Sequence, residues 1–95
     1  MAKKSVPFNK SGIAKLPDDR PVIYEIKSAG GKSNYIGIAK KGRVQERLTE
    51  HLPGGTHHIP GAKVKIEQQP TVQQAAKKEK GMIAREQPKY NKVHK

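Results

Sequence analysis

The chain has 95 residues, with 20 lysines and arginines against 8 aspartates and glutamates, and a formal net charge of +12. This length accommodates one small domain, and the 33% apolar content limits its core. The sequence has no apolar run that could span a membrane, no apolar stretch after the basic N-terminus typical of a secretory signal, and no cysteine. We therefore expect a cytosolic basic domain whose partner is a polyanion and not a membrane.

The first part of the chain divides into an arm and a predicted hairpin. Residues 1–20 carry five cationic side chains and no apolar period, which predicts a flexible basic arm. Residues 22–27 are rich in β-branched and aromatic side chains, which favours a strand. A glycine-rich segment at 28–34 is typical of a turn, and residues 35–39 read as a second strand. The two strands are expected to pair antiparallel.

A helix and a third strand are predicted after the hairpin. Residues 44–52 place Val44, Leu48 and Leu52 on one stripe at i, i+4 and i+8, which predicts a helix. The Pro-Gly-Gly that follows ends it. Residues 62–67 alternate apolar and polar side chains, the pattern of a half-buried strand.

The last predicted element is a helix that begins after Pro70. Thr71, with Gln74 three residues on, matches a capping box, and Pro88 closes the helix. Its apolar face comprises Val72, Ala75, Ala76, Met82 and Ile83. The fold class is therefore predicted as α+β, a three-stranded antiparallel sheet with flanking helices in the order β-β-α-β-α.

Three polar side chains are predicted to lie on or beside the apolar faces of the two predicted helices. Glu79 falls on the apolar stripe of the last helix, where a carboxylate is costly unless it is paired, hydrogen-bonded or bound to a metal. Arg47 and His51 lie side by side, four residues apart, on the first predicted helix. One interpretation is that the three converge on the sheet. The alternative is that Glu79 pairs with a lysine of the third strand, Lys63 or Lys65, and that Arg47 and His51 form a solvated helix edge.

These positions resemble a known family. Val22-Ile23-Tyr24 and Tyr35-Ile36-Gly37, separated by ten residues, resemble the signature of the GIY-YIG nucleases. Arg47-Leu48-Thr49-Glu50-His51 is similar to the family's helix with its arginine and, one turn on, a histidine or tyrosine. Glu79 stands twelve residues before Asn91, and this stretch resembles the family's closing glutamate-to-asparagine motif. The resemblance covers residues 21–92, leaving residues 93–95 as a tail.

The sequence also departs from the family pattern. Val22 replaces the first glycine of the signature, and Ile38 stands where repair-type members often have lysine. The stretch before the helix is about two residues longer than usual, with Lys41-Gly42 as the insertion. This makes Arg43 a competing candidate for the arginine, although Leu48 and His51 follow Arg47 in the expected register.

The resemblance implies a metal-dependent endonuclease that hydrolyses phosphodiester bonds in DNA. Tyr24 would act as general base with His51 relaying or accepting the proton, and Tyr35 would hydrogen-bond the water or the phosphate; the two tyrosine roles could be exchanged. A free tyrosine has a pKa of ~10. A nearby metal ion, Arg47 and the positive charge of the protein are therefore expected to favour the phenolate. Arg47 would bind the non-bridging phosphate oxygens, for which a planar guanidinium is well suited.

The resemblance further implies a metal site and a supporting residue. Glu79 would hold Mg²⁺ (or Mn²⁺), because Mg²⁺ accepts a single protein carboxylate and keeps several waters and substrate oxygens as its other ligands. Asn91 would brace the site through side-chain hydrogen bonds. The cations near these positions are interpreted as phosphate contacts, with a solvated charge run as the alternative: Lys40, Lys41, Arg43, Lys89 and Lys92.

A second function from a different class fits the same composition. It is a basic nucleic-acid-binding module that has this fold but little or no cleavage activity. DNA is the expected partner, RNA stays open as the bound polymer, and the sequence indicates no oligomeric state. The complete set of six site residues favours the nuclease.

Overall fold

Four antiparallel strands form one sheet in the computed structural model, which describes residues 3–90. The spatial order of the strands is β1-β4-β2-β3, so β1 and β3 are the edges. The elements in chain order are β1 (Lys3–Pro7), α1 (Lys10–Ile13), β2 (Val22–Lys27), β3 (Ser33–Ala39), α2 (Val44–Glu50), β4 (Lys63–Gln68) and α3 (Val72–Glu86). The predicted α+β class is confirmed, but the sheet has four strands where three were predicted.

The two faces of the sheet are covered differently. Side chains alternate along β2, so Tyr24 and Ile26 face α1 and α2, whereas Ile23 faces α3. The face toward α1 and α2 carries the larger core, which includes Val64 and Ile66 of β4 and Leu48 of α2. On the opposite face α3 packs on β2 and β3 through a smaller cluster of Ile23, Ile36 and Ala75. We refer to the two sides as the α2 face and the α3 face.

The prediction of a flexible arm over residues 1–20 is wrong for the described part of that segment. Strand β1 pairs with β4 along its whole length, from Lys3 opposite Glu67 to Pro7 opposite Lys63. The apolar residues of this segment show no single helical or strand period in the sequence, because they belong to a strand, a turn, a one-turn helix and a loop. Their buried side chains are Val6, Phe8, Ile13 and Leu16. The segment therefore belongs to the same folded unit, and residue 20 is not a domain boundary.

This N-terminal segment also holds α2 in place. The Asp18 carboxylate accepts a 2.6 Å hydrogen bond from the Val44 amide, and its carbonyl accepts one from the Gly42 amide. The Gln45 side chain donates to the Leu16 carbonyl at 2.8 Å. The first amides of a helix have no partner within the helix, so Asp18 satisfies one of them from outside. The position of α2 thus depends on the segment before β2.

The remaining elements follow the predicted order with shifted ends. The helix expected over 44–52 stops at Glu50, and the buried His51 and Leu52 follow in a turn. The predicted cap of α3 is present, since the Thr71 hydroxyl accepts a hydrogen bond from the Gln74 amide at 3.1 Å. Ala76 is exposed although the pattern placed it on the apolar face. None of the helices within residues 3–90 has the length and apolar character needed to cross a bilayer.

Candidate active site

A cleft of about 310 Å³ lies at the edge strand β3, where α2 and α3 approach the strand from opposite sides. Strand β2 contributes Tyr24, β3 contributes Tyr35, and α3 contributes Glu79 from the other side of the sheet edge. The cleft is lined by Tyr24, Tyr35, Gly37, Ile38, Arg47, His51, His57 and Glu79. Five of the six side chains predicted to form the site are therefore together. The sixth, Asn91, lies outside the described residues.

Gly37 makes room for the two tyrosine rings. It stands directly opposite Tyr24 in the β2–β3 register, on the same side of the sheet. A Cβ atom at Gly37 would lie 2.6 Å from the Tyr24 hydroxyl oxygen and 2.9 Å from Cε2 of Tyr35. No side chain fits at such distances, so the glycine allows the rings to approach with centroids 6.0 Å apart. The glycine of the second signature tripeptide thus has a steric role in the site.

His51 connects Tyr24 to the loop after α2. Its Nδ1 lies 2.7 Å from the His57 carbonyl oxygen, and its Nε2 lies 2.9 Å from the Tyr24 hydroxyl. A carbonyl only accepts, so Nδ1 carries the proton and donates to His57. In the neutral ring Nε2 then accepts the hydrogen bond that the Tyr24 hydroxyl donates. Burial lowers the pKa of His51 below its usual value, which keeps the ring in this neutral form.

Burial governs the ionisation of the two tyrosines. It raises the pKa of Tyr24 far above the usual tyrosine value, and the charge of Tyr35 acts in the same direction. Burial likewise raises the pKa of Tyr35, with Glu79 as the next cause. Arg47 lowers both pKa values, as expected from the sequence, but desolvation outweighs it. The groups of the protein itself therefore disfavour phenolate, and with these groups alone both hydroxyls hold their protons near neutral pH; the effect of a metal ion stays a prediction.

The structure distinguishes the two candidate arginines. Arg47 lines the cleft, and its guanidinium lies 3.8 Å from the carboxylate of Glu50, one turn further along α2. About half of its side chain is exposed, so it is free to meet an anion from solvent. Arg43 immediately precedes α2, forms a 2.6 Å ion pair with Glu46, and does not line the cleft. The placement agrees with the preference for Arg47.

Glu79 is a half-buried carboxylate without a hydrogen bond or ion pair to any residue in the range 3–90. The structure therefore does not have the alternative ion pair between Glu79 and Lys63 or Lys65. Burial raises the pKa of Glu79, and its charge in turn raises the pKa of Tyr35. A single uncompensated carboxylate facing a polar cleft fits a hydrated Mg²⁺ ion. Residues 3–90 contain no cluster of three or more histidine, aspartate or glutamate side chains that would form a metal cage.

The predicted phosphate contacts lie outside the cleft lining. Lys40 and Lys41 are exposed in the turn between β3 and α2. Lys89 is exposed beyond α3, with its ammonium 5.5 Å from the centroid of the Tyr90 ring. Lys92 lies outside the described residues. The described cations do not line the cleft with Tyr24 and Tyr35, and both interpretations of them, a solvated rim or contacts to a longer substrate, stay predictions.

One part of the site had no signal in the sequence. The side chain of His57 is exposed in the loop after α2, but its backbone carbonyl sets the proton position on His51. The His57 amide also donates to the Glu50 carbonyl at 3.0 Å, which folds the loop back on the end of α2. Backbone contacts of this kind do not depend on side-chain identity, so no residue pattern marks them.

Comparisons with known proteins do not identify a family, since no family model matches the chain and no curated protein matches it.

Proposed function

We propose that the protein is a metal-dependent endonuclease that hydrolyses phosphodiester bonds in DNA. The observation that carries this proposal is the convergence of Tyr24, Tyr35, Arg47 and His51 in one cleft with the carboxylate of Glu79, which has no ion pair within residues 3–90. Phosphodiester hydrolysis needs a proton acceptor for the attacking water and positive charge at the phosphate. RNA is the alternative polymer, and the cysteine-free composition is compatible with action in the cytosol.

The proton of the attacking water has a defined route in this proposal. The Tyr24 hydroxyl already donates a hydrogen bond to neutral His51. In the reaction, Tyr24 passes this proton to His51 while it takes a proton from the attacking water. This relay avoids a free phenolate, which the buried position of Tyr24 disfavours. His57 holds His51 in the accepting tautomer and stabilises the imidazolium that forms. Tyr24 is therefore the general base only together with His51.

The other groups bind and orient the phosphate. Arg47 donates to the non-bridging oxygens, exchanging its long contact with Glu50 for a shorter one with the phosphate. Tyr35, still protonated, donates a hydrogen bond to the phosphate or to the water. Glu79 is the residue that would hold Mg²⁺. When bound, this ion supplies positive charge that stabilises the leaving oxygen.

The test is nicking of a supercoiled plasmid in the presence of Mg²⁺, comparing the wild type with Glu79→Gln. We expect the substitution to reduce the nicking rate by roughly 100-fold or more, since it removes the carboxylate that binds the metal. Chelation of Mg²⁺ by EDTA is expected to abolish nicking by the wild type. Glu86→Gln is the matched control, because Glu86 lies on α3, is exposed, pairs with its neighbour Arg85 and does not line the cleft. Wild-type nicking that persists in Glu79→Gln contradicts the metal assignment.

A basic nucleic-acid-binding module is the second candidate, and one observation favours it. Both cleft tyrosines hold their protons firmly, and Arg47 already has an acidic partner in Glu50. If His51 does not take up the Tyr24 proton, a cleft in this state binds phosphate without cutting it. If the wild type and Glu79→Gln bind DNA equally and neither cuts plasmid or branched DNA, this second function is the correct one.

A further inference from the structure

The α3 face of the sheet is only partly covered. Helix α3 packs on β2 and β3, which leaves the adjoining strands β4 and β1 open on that side. Two shallow clefts of about 260 and 250 Å³ lie there, and Lys65 lines both of them. They therefore form one continuous surface that runs along β4 beside α3.

Six cationic side chains line this surface, which we name the basic sheet face: Lys3, Lys27, Lys63, Lys65, Lys78 and Arg85. The two carboxylates among the lining residues, Glu25 and Glu67, have side chains only 7% and 16% exposed. Their charges therefore lie beneath the surface and not on it.

Three of these six cations have an acidic partner: Glu25 for Lys27, Glu67 for Lys78 and the exposed Glu86 for Arg85. Glu67 is bound by the ammonium of Lys78, which lowers its pKa and keeps it ionised, and Glu25 lies 3.8 Å from the ammonium of Lys27. Lys3, Lys63 and Lys65 form no ion pair with any residue between 3 and 90. Lys3 lies opposite Glu67 and lowers its pKa, and Lys65 lies opposite Glu25, so these two charges are partly compensated. With six cations against two carboxylates among its lining residues, the surface still carries an excess of positive charge.

This pattern differs from that of the exposed side of α2. There each arginine has an acidic neighbour on the same helix, Glu46 for Arg43 and Glu50 for Arg47. A surface that needs only to be soluble mixes both signs in this way. A surface where carboxylates are buried and cations exposed attracts an extended polyanion.

The basic sheet face is separate from the cleft at β3. The two share no lining residue, and α3 lies between them. Lys78, Met82 and Arg85, at i, i+4 and i+7, turn toward β4, whereas Glu79 turns toward the tyrosines. No aromatic side chain is among the described residues that line the basic sheet face, so base stacking has no platform there.

From these observations we infer that the basic sheet face is a second DNA-binding surface, which holds the phosphate backbone on the side of α3 away from the cleft. The inference rests on the proposed function for the identity of the polyanion. It gives the domain a means of holding DNA that is independent of its cleft. Contacts of this kind position a duplex without reading its sequence.

The test is fluorescence anisotropy of a labelled DNA duplex in EDTA, which separates binding from cleavage. Lys63→Gln/Lys65→Gln is expected to weaken binding about tenfold and to reduce the slope of log K against log salt by roughly two units. The control, Lys10→Gln/Lys15→Gln, removes the same charge from exposed positions in and just after α1, and is expected to leave that slope close to the wild-type value. An equal effect of both double variants, or an unchanged slope in the first, overturns the inference.

A second pair of substitutions on the same surface controls for a folding defect. Lys65 lies opposite Glu25 in the β2–β4 register, so its substitution could disturb the sheet. Lys3→Gln/Arg85→Gln changes two exposed residues of the same surface, and the same reduction in slope is expected. Thermal denaturation followed by circular dichroism identifies a variant that is unfolded. A wild type that binds DNA but does not nick it contradicts the proposed hydrolysis alone. A wild type that nicks DNA, while all three double variants bind DNA equally well, contradicts only this inference.

Discussion

At the scale of single residues, the chemistry of the cleft depends on which groups are desolvated. Tyr24 is buried and donates to His51, and His51 is buried and donates to a backbone carbonyl. Burial favours the neutral form of both side chains, whereas the hydrogen bond to the His57 carbonyl favours the imidazolium. In the proposed function the pair works as a proton relay that starts from the neutral state, in contrast to a tyrosinate prepared in advance by nearby cations.

The relay has a testable pH dependence. His51 must be neutral to accept a proton, and burial lowers its pKa below 6.5. We expect the Mg²⁺-dependent nicking rate to be constant from pH 8 down to about pH 6.5, and to fall at lower pH as His51 becomes protonated, with a limiting decrease of about tenfold per unit.

Neighbouring groups affect this profile in known directions. The hydrogen bond to the His57 carbonyl and the charge of Glu50 raise the pKa of His51, whereas the charges of the His57 side chain and Arg47 lower it. Glu79, whose pKa is raised by burial, adds a second loss of activity on acidification as it is protonated. His51→Gln is the comparison variant, and its residual nicking is expected to lack the step that belongs to His51. A rate that increases on acidification contradicts the relay.

A second prediction at this scale concerns Gly37. Gly37→Ala would place a Cβ against the Tyr24 hydroxyl and the Tyr35 ring, and overpacking of this kind costs about 1–3 kcal/mol in the free energy of unfolding. It should also displace both tyrosines from the cleft and reduce nicking. The measurement is urea denaturation together with the plasmid assay.

Gly30→Ala is the matched control for Gly37→Ala. A Cβ at Gly30 meets only the Ser28 hydroxyl, at 3.9 Å, and the residue needs no positive φ. We expect a change in the free energy of unfolding within about 0.5 kcal/mol. Equal stabilities of the two variants would show that the signature glycine has no steric role.

At the scale of secondary structure, the central finding is that β1 and α1 belong to the fold. Predicting β2, β3, α2, β4 and α3 required only local patterns: β-branched runs, a helical stripe, strict alternation and a capping box. Strand β1 pairs with a strand almost at the other end of the chain, and α1 is a single turn capped by Asn9. Neither has enough local pattern to be recognised, because their stability comes from long-range pairing and burial.

The contribution of this segment is measurable at Leu16, whose side chain is 2% exposed. Leu16→Ala is expected to lower the free energy of unfolding by about 3 kcal/mol, since it removes buried apolar atoms and leaves a cavity. Its exposed neighbour Lys15 provides the control, and Lys15→Ala should change stability by less than about 0.5 kcal/mol. The check is urea denaturation followed by circular dichroism. If the two variants are equally stable, residues 3–20 do not contribute to the core.

At the scale of the whole molecule, the charge of +12 is distributed unevenly. Acidic partners accompany the arginines of α2, whereas the outer side of β1 and β4 presents lysines above buried carboxylates. The cleft is at the β3 edge of the sheet and these lysines are toward the β1 edge, so the two regions lie on different sides of α3. The comparison of Lys63→Gln/Lys65→Gln with Lys10→Gln/Lys15→Gln belongs to this scale, because it asks where on the molecule the charge acts.

The sequence by itself determined the α+β class and the order of five elements, and it predicted a polyanionic partner and the candidate residues Tyr24, Tyr35, Arg47, His51 and Glu79. These follow from local periodicity, composition and motif spacing. Only the tertiary structure decided that Glu79 reaches the cleft from the opposite side of the sheet, that the His57 carbonyl sets the tautomer of His51, and that residues 3–16 complete the sheet and core. It also decided that both tyrosines keep their protons, because their pKa depends on burial, and burial arises only when distant segments pack together.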